Sequence, residues 1–191
     1  MMIMDEIDKE IILQLQKDGR TTLSELGKRV GMTHVGVKRR IDRLIKADII
    51  KVVANVNVDK LGYKSALILV EVENYSRLQE LINMFKDCPR IICLATLSGA
   101  YNLMALMVAE DIDTLESMIL GECSIRGQKG IRRSDVQIIS SFIFPQHHPV
   151  RMITERKKEI PSCGLDCGKC ERYTIGKCLG CPLTEYYRAR S

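Results

Sequence analysis

The chain has 191 residues, 46% of them hydrophobic, which is enough for one large domain or two small ones with a packed core. Its net charge of +5 is modest, so a polyanion would have to bind a local basic patch rather than the whole surface. No run of 18 apolar residues occurs, and acids occupy the first eight residues where a signal peptide needs a basic and then an apolar region. We therefore expect a cytoplasmic protein without a membrane partner.

The first segment predicts an amphipathic helix. Asp5, Glu6 and Asp8 stand where the positive end of a helix dipole favours acids. Asp18-Gly19 is a stop signal, and the apolar residues between are spaced for one helical face: Ile7, Ile11, Ile12 and Leu15.

Residues 21–46 predict two further helices joined by a tight turn. Thr22 or Ser24 can cap the first of them, Gly31 supplies the left-handed residue that ends it, and Thr33 can cap the second. Each helix has one apolar face, formed by Leu23, Leu26 and Val30 in the first and by Val37, Ile41 and Leu44 in the second. With the preceding helix, this is a three-helix unit that contains a helix-turn-helix.

The second helix of this pair carries its positive charge on one side. Residues 33–46 include five lysines and arginines against one acid, Asp42, and Arg39, Arg43 and Lys46 are predicted to lie opposite the apolar face. An ordinary hairpin with a solvated basic face is the alternative, but turn, caps and charge together favour a helix that enters a DNA major groove. The predicted DNA-binding residues are Thr33, His34, Val35, Lys38, Arg39, Arg40, Arg43 and Lys46.

Beyond residue 48 the pattern changes to strands. Residues 49–58 are rich in β-branched side chains and predict a strand pair or wing, followed by a linker at 59–63. Residues 64–144 predict the order β-α-β-β-α-β, an antiparallel ferredoxin-like sheet with both helices on one face. The predicted strands are 65–72, 90–97, 101–108 and 134–144, and the predicted helices are 76–85 and one from Asp111 or Asp113 to Leu120.

The remaining residues differ in composition. Residues 145–149 contain two prolines and predict a break with no ladder, within a linker at 145–160. Five of the eight cysteines lie in residues 161–191, and an odd cluster without a secretion signal favours metal ligation over disulfides. The candidate ligands are Cys163, Cys167, Cys170, Cys178 and Cys181.

The spacing of these cysteines leaves the metal open. Two Cys-x2-Cys pairs let both thiolates of a pair reach one metal, and four thiolates suit either tetrahedral Zn²⁺ or a 4Fe–4S cluster. The first-choice ligands are the paired cysteines, while Cys163 is a further ligand, a redox-active spare or a surface thiol. Reduced thiols on a disordered tail are the alternative. The other cysteines are predicted to be core or surface residues and not ligands: Cys88, Cys93 and Cys123.

The helical unit, the segment VNVDKLGY and the hairpin SGAYNLMALMV together resemble the leucine-responsive/asparagine-synthase regulator (Lrp/AsnC, feast-famine) family of transcription factors, over roughly residues 4–144. The resemblance implies a winged helix-turn-helix followed by a ferredoxin-like (RAM) domain, an α+β fold. It also implies a regulator that binds double-stranded DNA, a homodimer formed through the sheet and often a homo-octamer, and a small-molecule effector held between subunits.

Two features depart from that family. Its hairpin usually has the pattern Gly-x-Tyr-Asp, whereas here the last residue is Asn102, which has no carboxylate for the ammonium group of an amino acid. The effector-binding residues that the resemblance implies are Ser98, Gly99, Tyr101 and Asn102. Residues 145–191 are an extension beyond the usual end of the family.

Enzymes that decarboxylate sirohaem share the two-part architecture and are the alternative function. They bind a tetrapyrrole with histidines and arginines of the second domain, but no histidine lies between Val35 and Gln146 here. We therefore expect a regulator and not an enzyme, whose tail senses redox state or metal or adds structure. The predicted divisions are residues 1–58 for DNA binding, 59–63 and 145–160 as linkers, 64–144 for dimerisation and effector binding, and 161–191 as a metal-stapled module.

Overall fold

The computed structural model describes residues 3–156, 158–161 and 163–189. They form two compact units that divide between Ala54 and Asn55, which is earlier than the predicted boundary at residue 58. The cysteine-rich tail belongs to the second unit and does not form a third one. Among the described residues, no helix is both long and apolar enough to cross a membrane.

The first unit is the predicted bundle of three helices, α1 (Glu6–Lys17), α2 (Leu23–Val30) and α3 (His34–Lys46). Its centre is formed by Ile11, Leu26 and Val37, one from each helix and all fully buried. Because each comes from the predicted apolar face of its helix, the hydrophobic period alone was sufficient to identify the core.

The helix ends follow the predicted signals. The Thr22 hydroxyl accepts from the Glu25 N–H at 3.2 Å, so Thr22 rather than Ser24 caps α2. Gly31 ends α2 in the left-handed region at φ 67°, and the Thr33 hydroxyl accepts from the Gly36 N–H at 3.2 Å to begin α3. Asp5 caps α1 with its carboxylate.

Ion pairs join α3 to α1. Asp8 is fully buried, and its two carboxylate oxygens accept from Arg40 Nη1 at 2.9 Å and from Arg43 Nη2 at 2.6 Å. Arg40 Nη1 also donates to the Asp5 carboxylate at 2.6 Å. Two arginines that the sequence assigned to DNA therefore neutralise acids inside the unit, since a buried carboxylate needs a paired charge.

The second unit contains a ferredoxin-like arrangement of β2 (Lys64–Val72), α4 (Tyr75–Phe85), β3 (Ile91–Thr96), β4 (Leu103–Ala109), α5 (Ile112–Leu120) and β5 (Ile131–Ile139). The strands form one sheet in the order β3-β4-β2-β5, and every pairing in it is antiparallel. Both helices pack on one face: Leu81 and Phe85 of α4 and Leu115 of α5 bury the inward side chains of β2. The last strand begins and ends earlier than predicted.

No helix in the described part of the chain belongs to the apolar cluster on the opposite face of the sheet. Leu67 pairs with Leu106 and Leu69 pairs with Met104 across β2 and β4, and all four side chains are only half-buried. We call these four residues the open face. An apolar strip of this kind on a sheet is a common subunit contact.

The strand pair predicted over residues 49–58 is wrong. Only β1 (Val56–Asn57) is a strand, and it pairs with β6 (His147–His148) in the segment predicted to have no ladder. The β-branched side chains of 49–55 do not make a strand because a strand also needs a partner for its backbone groups. His148 is buried beneath Phe142, with the two ring centroids 4.0 Å apart.

Gly27 sets the close packing of α2 against the turn, because a Cβ there would lie 2.5 Å from the Met32 carbonyl oxygen. We expect Gly27→Ala to lower the free energy of unfolding of the first unit by about 1–3 kcal/mol. Urea unfolding followed by hydrogen exchange of peptides from 22–46 measures this. The matched control is Gly36→Ala, whose Cβ would meet the flexible end of Met32 at 2.9 Å. It should be neutral or stabilising by up to about 1 kcal/mol, and equal losses would contradict the packing argument.

Asp5 should make the first unit sensitive to acid. The backbone N–H of Asp8, and then Arg40, hold the pKa of the Asp5 carboxyl below its ordinary value. A lowered folded pKa contributes stability above the unfolded value of about 3.9, and that contribution is lost as the pH falls through the folded pKa. In the Asp5→Asn variant the asparagine is still a good cap but has no group that titrates. The stability of the first unit should therefore depend less on pH below about 4 in this variant. Hydrogen exchange of α1 peptides against pH is the measurement, and identical acid limbs would contradict the assignment.

Candidate nucleic-acid interface and thiol cavity

One side of α3 is free to contact a partner. Val35, Lys38, Arg39, Asp42 and Lys46 recur at intervals of three or four residues and are all exposed. We call this set the recognition face. It carries three cations and one acid, and the acid pairs with Lys38 at 3.4 Å.

The predicted DNA-binding residues divide into two groups. The recognition face holds Val35, Lys38, Arg39 and Lys46, with Thr33 and His34 exposed beside it at the start of α3. Arg40 is half-buried in ion pairs with α1, whereas Arg43 pairs with Asp8 and remains exposed. The sequence did not reveal this division because Asp8 lies far away in the chain.

The predicted effector residues lie at the tip of the β3–β4 hairpin. Ser98 and Gly99 are exposed. The side-chain amide of Asn102, by contrast, is hydrogen-bonded through both its nitrogen and its oxygen. Asn102 Nδ2 donates to the Val72 carbonyl at 2.8 Å, and Oδ1 accepts from the Val72 N–H at 2.8 Å. Asn102 therefore ties the hairpin to the end of β2, a role that the sequence did not suggest.

Tyr101 is also held within the chain. The Arg133 guanidinium lies 5.0 Å from the centre of its ring and donates to the Ala100 carbonyl at 2.9 Å. Arg133 also pairs with Glu71 at 2.7 Å. Arg133 and Asn102 thus tie the hairpin to β5 and β2.

The tail docks on α5 through specific hydrogen bonds. Arg172 Nε donates to the Ser117 hydroxyl oxygen at 2.7 Å, and that hydroxyl lies 2.6 Å from the Lys177 carbonyl oxygen. Further along, the Leu179 N–H donates to the Thr114 hydroxyl at 3.2 Å. These contacts explain why the tail belongs to the same compact unit as the sheet.

A buried arginine makes the second anchor of the tail. Arg90 is 7% exposed, and its Nη1 donates to the Gly180 carbonyl at 2.8 Å. Its Nε donates to Glu110 at 3.0 Å, and the other oxygen of Glu110 accepts from the Tyr187 hydroxyl at 2.7 Å. Gly180 and Tyr187 of the tail therefore hydrogen-bond to the Arg90–Glu110 ion pair, whose two residues lie next to β3 and β4 in the chain.

A cavity of about 60 Å³ lies between the tail and the rest of the second unit. Apolar side chains form part of its wall, including Phe85, Met107 and Met118, and Arg90 also contributes. All five tail cysteines that were predicted as metal ligands line it: Cys163, Cys167, Cys170, Cys178 and Cys181. We call it the thiol cavity.

Two cysteines that were predicted not to be ligands also line the thiol cavity. Cys88 follows α4 and Cys123 follows α5, and both face the tail cysteines. Cys93, by contrast, is exposed on β3. No sequence spacing marks Cys88 or Cys123, because each is an isolated cysteine that only the packing of the tail brings to the cluster.

Burial favours the neutral form of the Cys123 and Cys181 thiols. It raises the pKa of Cys181 to about 12, and it raises the pKa of Cys123, with the nearby Cys163 and Cys178 adding to the effect. Within the described residues, no group of three or more His, Cys, Asp or Glu side chains is arranged to hold a metal ion. The metal assignment therefore stays a prediction.

Comparison with known proteins agrees with both units. The AsnC-type helix-turn-helix domain matches residues 4–45, and the Lrp/AsnC ligand binding domain matches residues 65–147. An HTH-type transcriptional regulator of Pyrococcus horikoshii is 30% identical over 140 residues, covering 72% of this chain and 87% of its own.

Solved structures show the same architecture. LrpC of Bacillus subtilis has a TM-score of 0.58 at 27% identity, covering 74% of this chain and 98% of its own. A transcriptional regulator of Neisseria meningitidis, solved as an L-methionine complex, has a TM-score of 0.64 at 20% identity and covers 80% of this chain and 98% of its own. The protein is therefore a member of the Lrp/AsnC family of HTH-type transcriptional regulators.

Proposed function

We propose that this regulator recognises specific DNA sequences by inserting α3 into the major groove. The observation that carries the proposal is the recognition face, where Lys38, Arg39 and Lys46 are exposed, while the neighbouring Arg40 and Arg43 pair with Asp8 of α1. A helix of this width fits the major groove of B-form DNA.

The side chains of the recognition face suit different parts of the duplex. Arg39 can donate two hydrogen bonds to a guanine edge, and Val35, which is 53% exposed, can contact a thymine methyl group. Lys38 and Lys46 flank them with charges suited to phosphates. We therefore assign base recognition to Arg39 and orientation to the lysines.

The open face of the sheet supports a dimer. Its half-buried leucines and methionine are exposed enough to lose water on contact with an identical face. A two-fold dimer would present two recognition helices, so we infer a near-palindromic operator with half-sites one or more helical turns apart. Assembly of such dimers into an octamer belongs to the same proposal.

We propose that the tail binds a thiophilic metal, as zinc or an iron–sulfur cluster, and makes the regulator responsive to metal or redox state. The support is the convergence of all five tail thiols on one cavity. We further propose that free amino acids are not the effectors, in contrast to the L-methionine of the Neisseria structure, because the amide of Asn102 is already bonded to Val72. No observation favours the tetrapyrrole enzyme.

Arg39→Ala should weaken binding to the operator by about 1–3 kcal/mol and relax the preference at one base pair. Fluorescence anisotropy with the chain's own promoter fragment, at several salt concentrations, measures both quantities. The matched control is Arg132→Ala, which removes an exposed arginine from the second unit and should leave specific binding unchanged.

A uniform loss across all sequences, with a salt slope reduced by about 1, would assign Arg39 to a phosphate instead. Unchanged binding of both Arg39→Ala and the double variant with Lys38→Ala would contradict the assignment of α3 to DNA.

Thermal shift with each of the twenty free amino acids should give no stabilisation. A ligand present at 100 times its Kd would contribute about 2.7 kcal/mol, which corresponds to roughly 5–10 °C for a chain of this size. A clear, saturable shift with any one amino acid would show that a chain with Asn102 still binds that class of effector.

A further inference from the structure

The donors of the thiol cavity select a soft metal. Seven cysteine thiols line it, and among the described residues no Asp, Glu or His side chain does so. Thiolates favour zinc, copper(I) and iron–sulfur clusters over the hard ions that prefer oxygen. Met107 and Met118 add two polarisable thioethers to the same wall.

The volume of the cavity indicates an occupant of more than one atom. Protein cores contain few voids larger than a water molecule, and a water needs about 10–15 Å³ together with two to four polar partners. This cavity measures about 60 Å³ and is walled mainly by thiols and apolar side chains. Water is therefore a poor occupant.

A single zinc ion does not match that volume either. Four thiolates close around Zn²⁺ at about 2.3 Å and leave no further interior space. An iron–sulfur cluster contains its own bridging sulfides and fills a volume between its ligands.

We infer that the thiol cavity holds an iron–sulfur cluster ligated jointly by the tail and by Cys123 of the sheet domain. This rests on the proposed metal-binding role of the tail and goes beyond it in naming the metal class and a ligand outside the tail. Cys88 is the second sheet-domain thiol within the same wall.

The position of Cys123 supports the joint site. It lines the same cavity as the five tail cysteines. Its Sγ is 3.9 Å from the Ser117 carbonyl, on the same turn of α5 to which the tail is hydrogen-bonded. A cluster bound there would fasten the tail to the end of α5.

The wall also supplies what an anionic cluster requires. The buried Arg90 guanidinium lines the cavity, where it is held by Gly180 of the tail and is paired with Glu110. The Gly180 N–H donates to Cys178 Sγ at 3.4 Å, and hydrogen bonds to ligand sulfurs are a common feature of such clusters. Each ligating thiol loses its proton when the metal binds, so the attraction between the Arg90 guanidinium and the ligands increases.

The test is the iron and acid-labile sulfide content of the full chain, purified without oxygen and reconstituted with ferrous iron and sulfide. The wild type should be brown and contain about four of each per chain, and it should bleach in air. Cys123→Ser and Cys167→Ser should each lose most of both, whereas Cys93→Ser, the matched control on exposed β3, should keep them.

Circular dichroism of the metal-free forms separates loss of a ligand from loss of the fold. Cys123→Ala is the second variant, because it removes the thiol without burying a hydroxyl group, and it should also lose the cluster while matching the metal-free wild type in helix content. If either Cys123 variant keeps its cluster as well as Cys93→Ser does, the joint site is wrong.

Two other outcomes distinguish this inference from the proposed function. One zinc per chain in a colourless protein, retained in Cys123→Ser and lost in Cys167→Ser, would overturn the cluster and leave a metal-binding tail. A wild type that binds neither zinc nor iron under any of these conditions would overturn both.

Discussion

The buried guanidinium of Arg90 is the constraint on which the second unit depends. A charge removed from water must be paired, and breaking such a pair is strongly destabilising. Glu110 supplies the opposite charge, and the Gly180 carbonyl and the Tyr187 hydroxyl, both in the tail, each add a hydrogen bond to the pair. The tail is therefore a structural part of the second unit, and a chain that ended with β5 would lack these two hydrogen bonds.

This arrangement divides the surface of the sheet domain into two functional sides. The helix side is occupied by α4 and α5 and then by the tail, which is hydrogen-bonded to Thr114 and Ser117. The open face keeps Leu67, Leu69 and their partners on β4 available. The open face therefore stays half-exposed with the tail packed on the helix side, so the family fold can carry this extension and keep its apolar strip.

Local signals in the sequence predicted most of the fold, and contacts between distant residues account for what they missed. Thr22, Gly31 and Thr33 act on neighbouring backbone groups, so their roles follow from spacing alone. Arg43 is exposed as predicted, but its ion pair with Asp8 was missed because Asp8 lies on another helix. Cys123 was not predicted as a ligand for the same reason, because this isolated cysteine joins the other cysteines only when the tail packs against it. The short β1–β6 ladder likewise joins residues about 90 positions apart, Val56 with His148 and Asn57 with His147.

Thermodynamic linkage limits how the thiol cavity can affect DNA binding. A ligand shifts an equilibrium only by the difference between its affinities for the two states. The cavity is lined by residues of α4, α5 and β4, by the segments that follow the two helices, and by the tail, so the states that an occupant can distinguish must differ in how these elements pack. The helices in turn bury the inner side of the strands whose outer side is the open face. Coupling to the recognition helix therefore has to pass through the packing of the sheet domain, and a change at the cavity that left this packing unaltered could not change the affinity for DNA.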